Sequence, residues 1–199
     1  DVCDMLIPDT GTAESPWAKK GVREAAEYAI DRVALAASLG AGQVEPVEQI
    51  PPIVTTAYNP DFTLARPYDV AKAKELLAAA GYPDGFSATL ILSPIGVSRD
   101  LAVAVQGYLT AVGIDLQIET PALAAYMQYS SPGSFPANSV LLCGMPAVDV
   151  SYLSGLNFLF GLTGSNWQRP AELTAALQTA NSAAGAEASD VRAVTDLMS

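Results

Sequence analysis

The sequence predicts an α/β fold, a mixed and mostly parallel sheet flanked by helices, forming one lobe over residues 1–199. Three observations carry that prediction. Short apolar runs, Phe86–Leu92, Ile114–Glu119 and Ser139–Gly144, alternate with helix-length amphipathic segments. Strand, helix, strand, helix, strand in that order implies right-handed crossovers with helices packed on a parallel sheet. The helical segments are rich in alanine on one side, which allows close packing, and the chain has no internal repeat and no low-complexity stretch that would suggest a second unit.

Residues Val2 to Ile7 form a short apolar run expected to be a buried strand, followed by the polar loop DTGTAES. Ser15 before Pro16 is a helix-start signal, a hydroxyl cap followed by a residue whose missing N–H costs nothing in the first turn. Val22, Ala26, Ala29, Val33 and Ala37 recur at helical spacing and predict one apolar face, and Gly40 and Gly42 end that helix. From Glu45 to Pro67 the prolines Pro46, Pro51, Pro52, Pro60 and Pro67 oppose regular structure, so this segment should run extended over the surface.

Asp69 is placed to cap the next helix, with Val70, Ala73, Leu77 and Ala80 on its buried side and Gly81 and Pro83 as its stop. Pro83 to Gly85 then turns into the strand Phe86–Leu92. After the loop SPIGVS a helix runs from Arg99 to Val112 and ends at Gly113. Ile114 to Glu119 alternates apolar and polar, the pattern of a strand buried on one face, whereas the continuous apolar run Ser139–Gly144 suits a central strand. Pro170 opens a further helix with Leu173, Leu177 and Ala180 inward, and an amphipathic piece covers Asp190 to Met198.

Composition narrows the function. A formal charge of −11 argues against nucleic acid and anionic lipid as partners, and no basic residue occurs between Arg99 and Arg169, so an anionic solute gains little from this long stretch. No histidine is present, which removes the usual neutral-pH acid/base and the commonest transition-metal ligand. Ser93 or Ser151 as a nucleophile would lack that base, every lysine lies at or before Lys74, and GLTGSN lacks the lysine of a phosphate loop. No metal spacing and no cofactor motif is present, and no span approaches the ~20 apolar residues of a membrane helix. Cys3 and Cys143 show no CxxC or zinc spacing and are either buried free thiols or a disulfide.

The order of VREAAEYAIDR (Val22–Arg32), the stretch holding PPIV and AYNPDF, and YDVAKAKELLAAAGYPDGF (Tyr68–Phe86) resembles the middle of bacterial extracellular solute-binding proteins of family 5, the peptide/nickel-binding type. LTAVGIDLQI (Leu109–Ile118) and GSNW (Gly164–Trp167) followed by PAEL (Pro170–Leu173) extend the resemblance over nearly the whole chain. It implies one lobe of the type II periplasmic-binding architecture, an internal piece of a longer two-lobed receptor whose first lobe and export signal lie outside this sequence. It further implies a periplasmic or lipoprotein-anchored extracytoplasmic location, a small peptide-like solute held between lobes, and an ABC permease as partner. The face that the other lobe would cover invites artificial dimers of the lone lobe.

By that resemblance the ligand lies at the carboxyl ends of the strands. Ligand-binding candidates are therefore Ser93 and Ile95 in the first loop, Tyr126 in a second loop from Pro121 to Tyr129, Met145, Ala147, Asp149 and Tyr152 in a third, and Asn166 and Trp167 in a fourth. Asp149 either meets a cationic group or caps the segment after it, and Trp167 either lines the cleft or packs in the core. Phe158 reads as core and Arg99 as a surface residue. The peptide-binding branch has an aromatic at the end of the third strand and, soon after, an aspartate that clamps the peptide amine. Here Cys143 and Pro146 stand in those positions, and the loop GMPAVDVSYL suits an uncharged or apolar ligand group. Two other classes stay open from sequence: a scaffold module on the same fold, and a serine hydrolase.

Overall fold

The computed structural model describes residues 2–47, 49, 58–61, 66–129, 133–146 and 167–182. Among the described residues four strands form one sheet in the order β1-β4-β2-β3, where β1 is Val2–Pro8, β2 Phe86–Leu92, β3 Ile114–Glu119 and β4 Ser139–Pro146. β2 runs parallel to both β3 and β4, while β1 runs antiparallel to β4. β2 and β4 occupy the centre, as their apolar runs require. β1 corrects the expectation of a buried strand: it lies at the sheet edge, and only Ile7 of its residues is fully buried. An edge strand has one ladder partner, so half of its surface stays wet.

Helices α3 (Val70–Ala79) and α4 (Arg99–Thr110) follow the expected spans. The Asp69 carboxylate accepts from the Lys72 N–H at 2.9 Å, and Ser98 caps α4 through the N–H groups of Asp100 and Leu101. With α1 (Lys20–Ala29) they cover one face of the sheet. The core there joins Val22, Ala73, Leu77, Ala102 and Leu109 to Leu90, Leu116 and Leu142 of the strands. Small residues dominate the α1 and α3 contact side, which lets the helix axes approach.

The N-terminal helix departs from its periodic pattern. Pro16–Ala18 forms a single 3-10 turn, α1 follows, and a separate helix α2 covers Arg32–Leu39. Ile30 is extended at φ −103° and ψ 116°, and the Asp31 carboxylate accepts from Ala34 N–H at 2.9 Å to start α2 afresh. The break rotates the apolar stripe, so Val33 is 68% exposed and Ala37 is exposed, while Ala36 takes the inward position. Ser15 is buried and makes no side-chain cap bond; its hydroxyl has no hydrogen-bond partner among the described residues.

Within the proline-rich connector, Gln49 and Asn59 are bridged by two bonds, Gln49 Nε2 to the Asn59 carbonyl at 2.7 Å and Asn59 N–H to Gln49 Oε1 at 3.0 Å. Its far end is tied to α1 by Arg66, which meets Glu27 at 2.7 Å and Glu24 at 3.3 Å. The last described helix, α6 (Ala171–Ala180), buries Leu173, Leu177 and Ala180 as the spacing predicts. The amphipathic piece at Asp190–Met198 lies outside the described residues. No described helix is long and apolar enough to cross a membrane.

Candidate ligand-binding site

Because β2, β3 and β4 are parallel, their carboxyl ends at Leu92, Glu119 and Pro146 emerge along one edge of the sheet, and antiparallel β1 begins at that same edge. This edge is where an open α/β sheet presents its binding loops.

Ser93, the first residue past β2, is 4% exposed, and its N–H continues the ladder by donating to the Leu142 carbonyl at 2.9 Å. Its hydroxyl donates to the Ile95 carbonyl at 2.8 Å and accepts from the Ile95 N–H at 3.3 Å. Ser93 therefore builds a tight turn that lifts Ile95, 58% exposed, out at the strand end. The serine shapes the loop; the isoleucine is what it presents.

The stretch from Pro121 to Tyr129, expected as a loop, holds a short helix α5, Leu123–Gln128. None of its residues is fully buried, which removes the periodic apolar signal that would have revealed it. Tyr126 turns inward to the second sheet face, where Ile7, Ile91, Phe135, Leu141 and Cys143 form a small cluster lined by Met5, Tyr126, Tyr129 and Trp167. The Tyr126 phenol meets the Ser93 hydroxyl and the Cys143 thiol, and burial is the main cause that raises it above the usual tyrosine range. Leu123 and Met127 on the same helix are 51% and 48% exposed.

Trp167 sits on this second face as well. Its ring lies 4.5 Å from that of Phe135, tilted by 59°. The neighbouring Gln168 N–H donates to Thr10 Oγ1 at 2.9 Å, which pins the segment to the loop after β1. Trp167 is thus half-buried and packs against the sheet. Phe135, which helps hold this cluster together, is not among the sequence candidates; a phenylalanine amid glycine, serine and proline at positions 132–136 is the available signal.

Met145 lies in β4 opposite Cys3. Ala147, Asp149, Tyr152 and Asn166 lie outside the described residues, as does Phe158. The structure therefore gathers Ser93, Ile95 and Tyr126 at one strand edge, with Trp167 on the adjoining face. Of the exposed apolar residues near that edge, the sequence pointed to Ile95 and not to Val2, Leu123 or Met127. Arg99 is exposed at the start of α4, as expected. Both cysteines are free. A depression lined by Lys74, Leu77, Asp84 and Val112 lies at the opposite, amino-terminal ends of β2 and β3 and has no part in this edge.

The comparisons with known proteins agree with this geometry. The glutathione-binding protein GsiB of Escherichia coli (strain K12) is 39% identical over 109 residues, covering 53% of this chain and 20% of that protein. GsiB of Salmonella typhi is 48% identical over 80 residues, covering 39% and 15%. The chain thus spans about a fifth of the length of these relatives. Among solved structures, a dipeptide-binding protein from Pseudoalteromonas in complex with Met-Leu superposes with a TM-score of 0.80 at 21% identity, covering 99% of this chain and 40% of the other. The periplasmic binding protein DppA from Helicobacter pylori, in complex with the peptide STSA, gives 0.76 at 20% identity, covering 98% and 41%. These structures share the fold. The family model of bacterial extracellular solute-binding proteins, family 5 Middle, matches residues 4–159, and the chain belongs to that family.

Proposed function

We propose that this chain is the second lobe of a two-lobed receptor that captures a small peptide or peptide-like solute and delivers it to an ABC importer. The observation that carries this reading is the convergence of three parallel strand ends with the start of β1 at one edge, rimmed by exposed Val2, Ile95, Leu123 and Met127. Such an edge suits a cleft that closes by hinge motion against another lobe. Membership of an extracellular family supports an extracytoplasmic site of action, and tethering by a lipid anchor is part of the same proposal. Names of relatives, glutathione-binding and peptide-bound proteins, support a peptide-like ligand.

Ligand contact is assigned to Ser93, Ile95, Tyr126, Met145, Ala147, Asp149, Tyr152, Asn166 and Trp167 by their place at or after the strand ends. Burial of the solute between lobes, with backbone and water-mediated polar contacts, supplies the affinity. No reaction is involved: the family is one of binding proteins. With Pro146 in the place of the amine-clamping aspartate, the ligand's amine gains no charged partner there, and apolar contact carries more of the recognition.

Native mass spectrometry of the receptor carrying this chain, purified from a cell extract with its ligand retained, tests the reading. A ladder of peptide masses supports a peptide receptor, and one peptide-like mass supports a dedicated one. A folded receptor that carries no solute and gains none from a peptide library would overturn it and favour the scaffold alternative.

A further inference from the structure

Sulfur-bearing residues collect at one corner of the sheet. In the antiparallel pairing of β1 with β4, Cys3 stands opposite Met145 and Met5 opposite Cys143. Alternation along a pleated strand then puts Cys3, Met5 and Cys143 on one face. It is the aromatic-lined face, where Cys143 is 3% exposed, Met5 packs on the same cluster, and Cys3 is half-buried near the start of β1. Cys3 is close enough to Cys143 for the charge of one to act on the other.

The two thiols are diagonal neighbours. Diagonal positions on antiparallel strands have Cα atoms about 7–8 Å apart, beyond the roughly 7 Å that a disulfide spans without backbone movement. A metal ion between two sulfurs replaces one S–S bond of about 2 Å by two metal–sulfur bonds of roughly 2.3 Å each. It therefore bridges a gap that a disulfide does not. Met5, directly across from Cys143, offers a thioether as third donor. Among the described residues no three His, Cys, Asp or Glu converge on a point, so a hard or borderline ion lacks its usual donor set here. Two thiolates and a thioether select a soft monovalent ion.

We propose that Cys3, Cys143 and Met5 form a binding site for Cu(I). The ion enters from the strand edge past half-buried Cys3. Each cysteine gives up its proton to solvent as its sulfur bonds to the metal, so one Cu(I) enters and two protons leave. Metal binding to a thiol displaces its proton, so the affinity depends on pH, and the Asp4 carboxylate and the Tyr126 phenol stand near the same thiols. Cys143 meets the Tyr126 phenol, so the site borders the proposed solute cleft; copper binding is read with no solute present, which keeps its failure distinguishable from failure of the receptor reading.

The test is a titration of the purified, reduced full-length protein with Cu(I) delivered from a colorimetric chelator without oxygen. The expected result is one Cu(I) per chain with thiolate-to-copper absorption in the ultraviolet, and an affinity that rises by about a hundredfold per pH unit, as the loss of two protons requires. Cys3→Ser, at a half-buried position where the fold tolerates a hydroxyl, loses the copper while its circular dichroism is unchanged. Met5→Leu keeps one copper but weakens it by about tenfold, since a soft donor is removed. A wild-type protein that retains no more Cu(I) than Cys3→Ser overturns the proposal. So does the finding of no free thiol in the untreated, unfolded chain, because the two sulfurs would then have reached bonding distance.

Discussion

Gly85 and Gly113 meet where β2 and β3 begin. Both have positive φ, +79° and +98°, and a Cβ on Gly85 would overlap the Gly113 carbonyl, the group that accepts the Phe86 N–H at 3.1 Å. Gly85→Ala combines a left-handed backbone strain with overpacking against main chain, so it should cost about 2–4 kcal/mol, visible as a lower denaturant midpoint with an unchanged slope. A second residue-level expectation concerns the thiols. Burial first, then the Asp4 carboxylate, pushes Cys3 up to about 11 and Cys143 up to about 12 from an ordinary value of 9.0. Above pH 9 the unfolded thiols ionise while the folded ones hold their protons, so stability is intact below that pH and falls as it rises toward 11 and 12. Denaturant midpoints at pH 7 and pH 10 should differ in that direction, and Cys143→Ala should reduce the difference.

At the level of elements, Asp31 separates α1 from α2 by capping the second helix. Asp31→Ala should cost about 1 kcal/mol in thermal unfolding through loss of that cap. The same residue explains why the sequence misled. Val22, Ala26, Ala29, Val33 and Ala37 fit one helical stripe, and nothing in their spacing reveals that Ile30 is extended. By contrast α3, α4 and α6 were legible from local signals: the Asp69 cap, apolar face and Gly81 stop for α3, the Gly113 stop for α4, and the Pro170 start with Leu173 and Leu177 inward for α6. β1 was legible as a strand but not as an edge, since its partner β4 lies more than a hundred residues away and pairing direction leaves no local trace. At the candidate site, Ile95 and Tyr126 were named by their position in the loops, while α5 was hidden by its lack of a buried face.

For the whole molecule, the two tryptophans offer a readout of the proposed closure. Trp17 is 2% exposed in the helix-covered core, edge-on to Phe86 at 5.4 Å, far from the strand ends in function. Trp167 packs on the second face beside Phe135 and shares a cluster with Tyr126. Adding a bound peptide to the receptor should change tryptophan emission, Trp167→Phe should remove most of that change, and Trp17→Phe should leave it in place. The formal charge of −11 and the unbroken absence of basic residues from 100 to 168 make a strongly acidic peptide the expected poorest ligand in the same titration.

The stitching of the first strand to the fourth has a consequence in time. Buried Asp9 receives the Asn138 N–H at 2.9 Å, across 129 residues of sequence, and donates its own N–H to the Ser139 carbonyl at 2.9 Å. Among the described residues β4 is its one ladder partner, so β1 gains that ladder only after the sequence through β4 has been made and ordered. Loop-closure entropy sets the rate of such pairing, and β1 should dock after the more local pair β2 and β3 has formed. In pulsed hydrogen exchange during refolding, amides of β2 and β3 should gain protection before those of β1, leaving an interval in which β4 shows an open edge to any other strand it meets.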